Sequence, residues 1–110
     1  IATDTLLVLC KLHSLGVSHS DFYGHNILIQ PQTNSVKVSD FGAAFSYRNS
    51  NNAKFGELCE RVEVRAYKVL VEELYTLTET TGASEERPWK ELLEACEGGT
   101  FQELAQTYCS

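Results

Sequence analysis

What the chain lacks narrows it first. Its 110 residues include no methionine and open on Ile1, so it is read as a piece of a longer product. No apolar run approaches the about 18 residues of a membrane-spanning helix, and no charged-then-apolar leader marks a secretory signal. Basic residues are few, 9 against 15 acidic, for a net charge of −6. That balance argues against nucleic acid or an anionic membrane surface as the main partner, because a row of phosphates would go unneutralised. The four cysteines, Cys10, Cys59, Cys96 and Cys109, show neither CxxC nor metal-ligand spacing. They are expected to be buried, reduced thiols of a cytoplasmic protein rather than a disulfide framework. Internal repeats and low-complexity tracts are absent. The composition, 43% hydrophobic and 22% charged, is that of a soluble globular protein, with one small domain over 1–110 around a single core.

Hydrophobic periodicity predicts mostly helix. From Thr3 to Leu15, residues Leu6, Leu9, Cys10 and His13 recur at i, i+3, i+4 and i+7. Thr3 or Asp4 is the expected N-cap, His13 is expected to pack at the helix end, and Gly16 is the expected left-handed terminator. Val17 and Ser18 make a short extended step. Gly42 to Tyr47 reads as a short strand and Asn49 to Lys54 as a polar loop. A second helix is expected from about Glu60 to Thr78, with Val62, Tyr67, Leu70, Leu74 and Leu77 on its apolar face and Val69 and Val71 widening it. So broad a face implies a central helix packed on more than one side. Gly82 to Pro88 reads as a turn. Trp89, Leu92, Leu93 and Cys96 form a third stripe that Gly98-Gly99 breaks. Thr100 then caps a last helix carrying Phe101, Leu104 and Tyr108. The fold class is mainly α with a small β-hairpin.

That hairpin lies in the stretch from His19 to Gly42, HSDFYGHNILIQPQTNSVKVSDFG. Ile27 to Gln30 and Val36 to Ser39 are β-like runs. Between them Pro31 to Asn34 is turn chemistry, since Pro fixes φ and Asn tolerates a left-handed backbone. A hairpin here brings Asp21, Asn26 and Asp40 to one end of a small sheet. Two carboxylates and an amide oxygen are hard ligands suited to Mg²⁺ and a polyphosphate. The plainer alternative is an ordinary hairpin with solvated polar residues. DFG or HxD alone is common by chance, whereas both together at this spacing are far more specific.

In the order HxDxxxxN…DFG, this stretch resembles the catalytic and metal-binding half of the protein-kinase signature. The resemblance implies a protein kinase-like C-terminal lobe, with the N-terminal lobe absent from this chain and encoded upstream of Ile1. It places the catalytic carboxylate at Asp21 and the Mg²⁺ ligands at Asn26 and Asp40, with Asp40 bridging the metal to the β- and γ-phosphates of ATP. Leu28 matches the residue under the adenine ring, with Leu70 and Leu74 supporting it. His19 and Phe41 match residues that stack within the core and hold the two loops in register. Glu63 takes the place of the acidic residue that accepts hydrogen bonds from the catalytic-loop backbone. Thr100 to Leu104 resembles the start of a kinase domain's final helix. The implied partner is a hydroxyl-bearing substrate, a protein Ser, Thr or Tyr, and the 110-residue piece alone is expected to be inactive.

Several positions depart from the family pattern. Ser20 stands where many members carry the Arg that pairs with a phosphorylated activation loop, which argues against that control. Tyr23 replaces the Lys that stabilises the transferring phosphate. His25, next to Asn26, would restore that charge only when protonated. The segment from Gly42 to Glu63 is short and has no Ala-Pro-Glu, and nothing matches a Gly-rich loop, a VAIK lysine or its partner Glu. Two alternatives stand beside the kinase reading. One is a pseudokinase or regulatory interaction module. The other is a small-molecule phosphotransferase of the aminoglycoside or choline type, which Phe41 disfavours.

Overall fold

The computed structural model describes residues 2–23, 26–30, 32–33, 35–48, 53–81 and 89–109. The first helix, α1 (Ala2–Ser14), is followed by the two-residue strand β1 (Val17–Ser18). Strands β2 (Ile27–Gln30) and β3 (Ser35–Val38) form the hairpin, and β4 (Phe45–Ser46) follows a 3-10 turn at Phe41–Ala43. Three helices complete the chain: α2 (Ala53–Thr81), α3 (Trp89–Ala95) and α4 (Phe101–Tyr108). The architecture is mainly helical with two small antiparallel pairs, β2 with β3 and β1 with β4. None of the described helices is long and apolar enough to cross a membrane.

α1 buries the stripe its spacing predicts, with Leu6 and Leu9 fully enclosed and His13 only 9% exposed. It begins at Ala2, earlier than a cap at Thr3 or Asp4 would allow, and Asp4 instead lies in the first turn, where the helix dipole favours an acid. Gly16 ends it with φ +72°, and the close approach of the chain after β4 leaves no room for a side chain there. A Cβ on Gly16 would lie 2.7 Å from Arg48 Cβ. The Gly16 carbonyl meanwhile accepts the Tyr47 N–H at 2.7 Å. Turn and strand pairing thus meet at one glycine.

The hairpin registers Ile27 with Val38 and Gln30 with Ser35, one residue earlier on its second strand than expected. Ser39 falls outside β3 but still donates its N–H to the Asn26 carbonyl at 2.7 Å. Pro31 and Asn34, to which the turn chemistry was assigned, lie outside the described residues, as do Gly82 to Pro88 and His25. The stretch from Gly42 to Tyr47 is not one strand. Asp40 adopts a left-handed conformation (φ 60°, ψ 68°), swings the chain into the 3-10 turn, and leaves only Phe45–Ser46 to pair with β1.

α2 corrects two expectations. It runs over 29 residues and takes in Lys54, which the polar composition had assigned to a loop. Once a helix is nucleated, each added residue costs little, and Phe55, the first large side chain in it, meets Phe45 with ring centroids 6.0 Å apart. Its buried stripe is also rotated. Glu63, Val64, Tyr67, Leu70 and Val71 are buried, whereas Val62, Val69 and Leu77 are 69%, 46% and 60% exposed. The helix packs against α1, α3 and β1 along this stripe, so its apolar side chains divide between core and open surface.

Leu92 and Cys96 from the α3 region and Phe101 and Leu104 from α4 close the core against α1 and α2. Thr100 caps α4 as expected, its hydroxyl oxygen accepting the Glu103 N–H at 3.2 Å. Glu60 reaches from α2 to accept the Phe101 N–H at 3.0 Å. All four cysteines are free, but only Cys96 is fully buried. Burial pushes its thiol up to about 11.

Candidate active site

The loop from Ser18 to Tyr23 is tied to α2 by one carboxylate. Glu63, 3% exposed, accepts the His19 N–H on Oε1 at 2.9 Å and the Ser20 N–H on Oε2 at 2.8 Å. Its Oε1 also receives His13 Nε2 at 3.0 Å. Burial by itself raises a carboxyl, but the hydrogen bonds from His13, His19 and Ser20 outweigh it and hold Glu63 below its ordinary range. The other ring nitrogen of His13, Nδ1, meets the Tyr47 hydroxyl at 2.6 Å. Tyr47 keeps its proton, since burial first and the nearby Glu60 second push it up to about 12. His13 is therefore a bridge between α2 and the chain after β4, more than the packed helix end expected from its position.

His19 is fully buried and fixes the second loop. Its Nε2 meets the Ser39 carbonyl at 2.8 Å, and its ring takes Phe41 edge-on with centroids 4.7 Å apart. The expected stacking of His19 with Phe41 is present, but Phe41 is 45% exposed. It leans on the core from outside and is not part of it.

Asn26 is 5% exposed and joins the two carboxylate-bearing segments. Its Nδ2 donates to the Asp21 carbonyl at 2.7 Å and lies 3.5 Å from Asp21 Oδ2. Its own carbonyl accepts both the N–H and the hydroxyl of Ser39, at 2.7 and 2.9 Å. With Nδ2 committed to Asp21, the amide oxygen is the end left for a cation. Asp40 follows Ser39 directly, exposed, and its side chain makes no capping bond to the 3-10 turn. Asp21 is half-buried, and its carboxylate has that one long contact among the described residues. Leu28 stands 56% exposed on β2. The structure thus brings Asp21, Asn26 and Asp40 to one end of the hairpin and sets Leu28 on its open side.

Backbone strain marks the same place. Among the described residues, Ser20 (φ 69°) and Asp40 (φ 60°) are the non-glycine positions with positive φ. Ser20 directly precedes Asp21, and Asp40 is itself one of the two candidate metal ligands. A left-handed non-glycine residue costs on the order of 1–2 kcal/mol, and such strain collects where the surrounding structure over-determines a functional geometry. Glu63 holds the first position through the Ser20 N–H, and His19 and Asn26 hold the second through Ser39.

An acid on a core helix anchors one loop, and the hairpin presents two oxygen donors beside a third. The protein kinase domain model matches residues 1–81, and the chain belongs to that family. Among similar proteins, Protein kinase MCK1 of Saccharomyces cerevisiae is 38% identical over 50 residues, 46% of this chain and 13% of that protein. The probable serine/threonine-protein kinase fnkB of Dictyostelium discoideum is 35% identical over 52 residues, 47% of this chain and 10% of that protein. The chain therefore spans a small part of the curated relatives it matches.

The hydroxyl of Tyr47 and the carbonyl of Ser39 are the site groups that sequence reasoning missed. Neither carries a motif. The only signal was distance along the chain from residues already singled out.

Proposed function

We propose that this chain is the C-terminal lobe of an ATP-dependent kinase-like phosphotransferase, over residues 1–110, acting on a protein hydroxyl when its nucleotide-binding lobe is present. The observation that carries the reading is the Glu63 anchor. A buried carboxylate holding the His19 and Ser20 amides fixes the loop whose next residue is Asp21, and no structural need of the hairpin alone accounts for it.

Each residue then has a task that its surroundings fit. Asp21 orients the acceptor hydroxyl and takes its proton, for which its carboxylate must be free of strong donors, and its one contact among the described residues, at 3.5 Å, fits that need. Asn26 and Asp40 offer an amide oxygen and a carboxylate, the hard donors Mg²⁺ prefers. Mg²⁺ held by Asn26 and Asp40 would supply charge neutralisation on the phosphates, and these two protein donors alone would hold it weakly. Leu28 offers the adenine ring an exposed apolar surface, which its 56% exposure leaves open. The missing cation at Tyr23 places more of the burden on the metal and on the absent lobe.

Activity is measured on the full-length protein with Mg²⁺, labelled ATP and a mixed Ser/Thr/Tyr peptide array. Transfer that vanishes in Asp21→Ala and Asp40→Ala supports the reading. The 110-residue piece alone transfers nothing above background. In that piece, Mn²⁺ broadens Asn26 and Asp40 resonances together. A full-length protein that binds no nucleotide and labels no acceptor would replace this reading with that of a pseudokinase.

A further inference from the structure

A surface on α2 next to the site is apolar on one side and basic on the other, and the phosphotransferase reading uses neither. On the first side, a pocket of about 390 Å³ lies between the loop after β1 and α2, and Phe22, Tyr23, Phe45, Phe55, Leu58 and Val62 line it. Five of these are exposed: Tyr23 58%, Phe45 40%, Phe55 37%, Leu58 57% and Val62 69%. A cluster of large apolar side chains left in water marks an interaction surface, where scattered single ones would not. Leu58 and Val62 also line a second groove of about 490 Å³, together with Arg61, Arg65 and Lys68 of the same helix and Glu97 after α3. The two grooves share this ridge and run alongside each other on one helix.

The charges in the second groove are unbalanced. Lys68 is engaged by Glu97 and reaches Glu72. Arg61 and Arg65 are exposed and belong to no ion pair among the described residues. They stand at i and i+4, where like charges disfavour a helix, on a chain whose net charge is −6. Lys68 lowers the Glu97 carboxyl, and Arg65 is near enough to help. Two guanidiniums outside any ion pair among the described residues, on one face of an acidic protein, nonetheless fit a carboxylate-bearing partner, since a planar fork pairs with carboxylate in two parallel bonds.

We propose that this face of α2 docks an extended peptide segment of a partner protein that places a large apolar side chain in the first pocket and an acidic pair against Arg61 and Arg65. Spacing sets the register. Along the helix axis Arg61 lies about 4.5 Å and Arg65 about 10 Å beyond Leu58, the reach of about one to three extended residues. Both acids therefore fall within about three positions of the apolar residue. Ser20, Phe22 and Tyr23 line the apolar pocket, so a docked segment runs past the residues on either side of Asp21. Docking itself does not depend on phosphoryl transfer.

The test is fluorescence anisotropy on the full-length protein with labelled Gly-Gly-Phe-Gly-Asp-Glu-Gly-Gly and the same peptide in reverse order. Controls carry Lys-Lys for the acidic pair or Ala for the Phe. One of the two acidic orders is expected to bind, and both controls to bind more weakly. Arg61→Glu with Arg65→Glu is expected to weaken the acidic probe about tenfold and to favour the Lys-Lys probe instead. Arg61→Lys with Arg65→Lys keeps most of the binding, and circular dichroism checks that each variant stays helical. Asp21→Ala is expected to bind the probe as the unaltered protein does. An unaltered full-length protein that binds the probe but transfers no phosphate counts against the phosphotransferase reading alone. Equal binding of acidic and basic probes, or an unchanged affinity in the double reversal, overturns the proposal. So does preferential binding to phosphatidylserine vesicles, or a self-associated dimer that the peptide cannot displace.

Discussion

His19 and Asn26 lie at the floor of the site, 0% and 5% exposed, and each bonds to a segment distant in sequence. Asp40 and Leu28 belong to the same short stretch yet stand on its open face, and Leu28 is 56% exposed. Floor residues are costly to disturb because a buried polar group that loses its partner still carries its desolvation cost. Face residues are held in place by the floor and contribute little to it. Position in the fold, not residue type, separates the two roles: Glu63 and Asp40 are both acids, one anchored by three donors and one left open to solvent.

The comparison breaks most visibly in activity. In the full-length protein, Asp21→Ala is expected to lower turnover by about 10²–10⁴-fold, while its denaturant midpoint corresponds to a change within about 0.5 kcal/mol. Asp40→Ala is expected to abolish turnover and also to weaken Mg²⁺–ATP binding, which calorimetry would read. A large loss of stability in either would move that residue from face to floor.

Glu63→Ala should show the reverse pattern, costing about 3–5 kcal/mol in urea melts because it leaves His13 and two backbone amides without their acceptor. Leu70→Ala, deleting a core side chain that is 6% exposed, is expected to cost about 2–5 kcal/mol. Leu74, which packs only partly against that core, should cost less. Equal losses at the two leucines would mean that the helix is buried on both sides after all.

Acid should reach the floor in a defined window. Glu63 is held below its ordinary value of 4.5, so the folded state binds its proton less readily than the unfolded chain. Its contribution is whole above that value and is lost as the pH falls through the lower folded value. Melting temperature followed from pH 6 downwards should drop in this range, and Glu63→Gln should flatten the drop while lowering the plateau. The smallest effect is expected away from the site, at the α4 cap. Thr100→Ala removes the bond to the Glu103 N–H and costs about 1 kcal/mol, with turnover unchanged.

Much of this was legible along the chain because the signals are local. A helix stripe, a glycine terminator at Gly16, a Thr cap and a two-strand alternation each depend on residues a few positions apart. The spacing of His19, Asp21, Asn26 and Asp40 was enough to mark the family. The Glu63 anchor was legible only through the family resemblance, since no local rule links an acid on α2 to an amide 44 residues earlier. The extent of α2 was not legible, because cheap propagation from a packed turn overrides a polar stretch.

Which apolar residues of α2 enter the core was also decided in three dimensions. Sequence periodicity identifies a stripe but not its rotation, and here the stripe follows Glu63, which the loop at His19 and Ser20 requires to face inward. Val64, Tyr67, Leu70 and Val71 are carried in with it, and Leu58 and Val62 are turned out beside Arg61 and Arg65. Residue order alone determined most of the elements and the family. The tertiary contacts of one buried carboxylate decided the helix's rotation, and so which surface was left open.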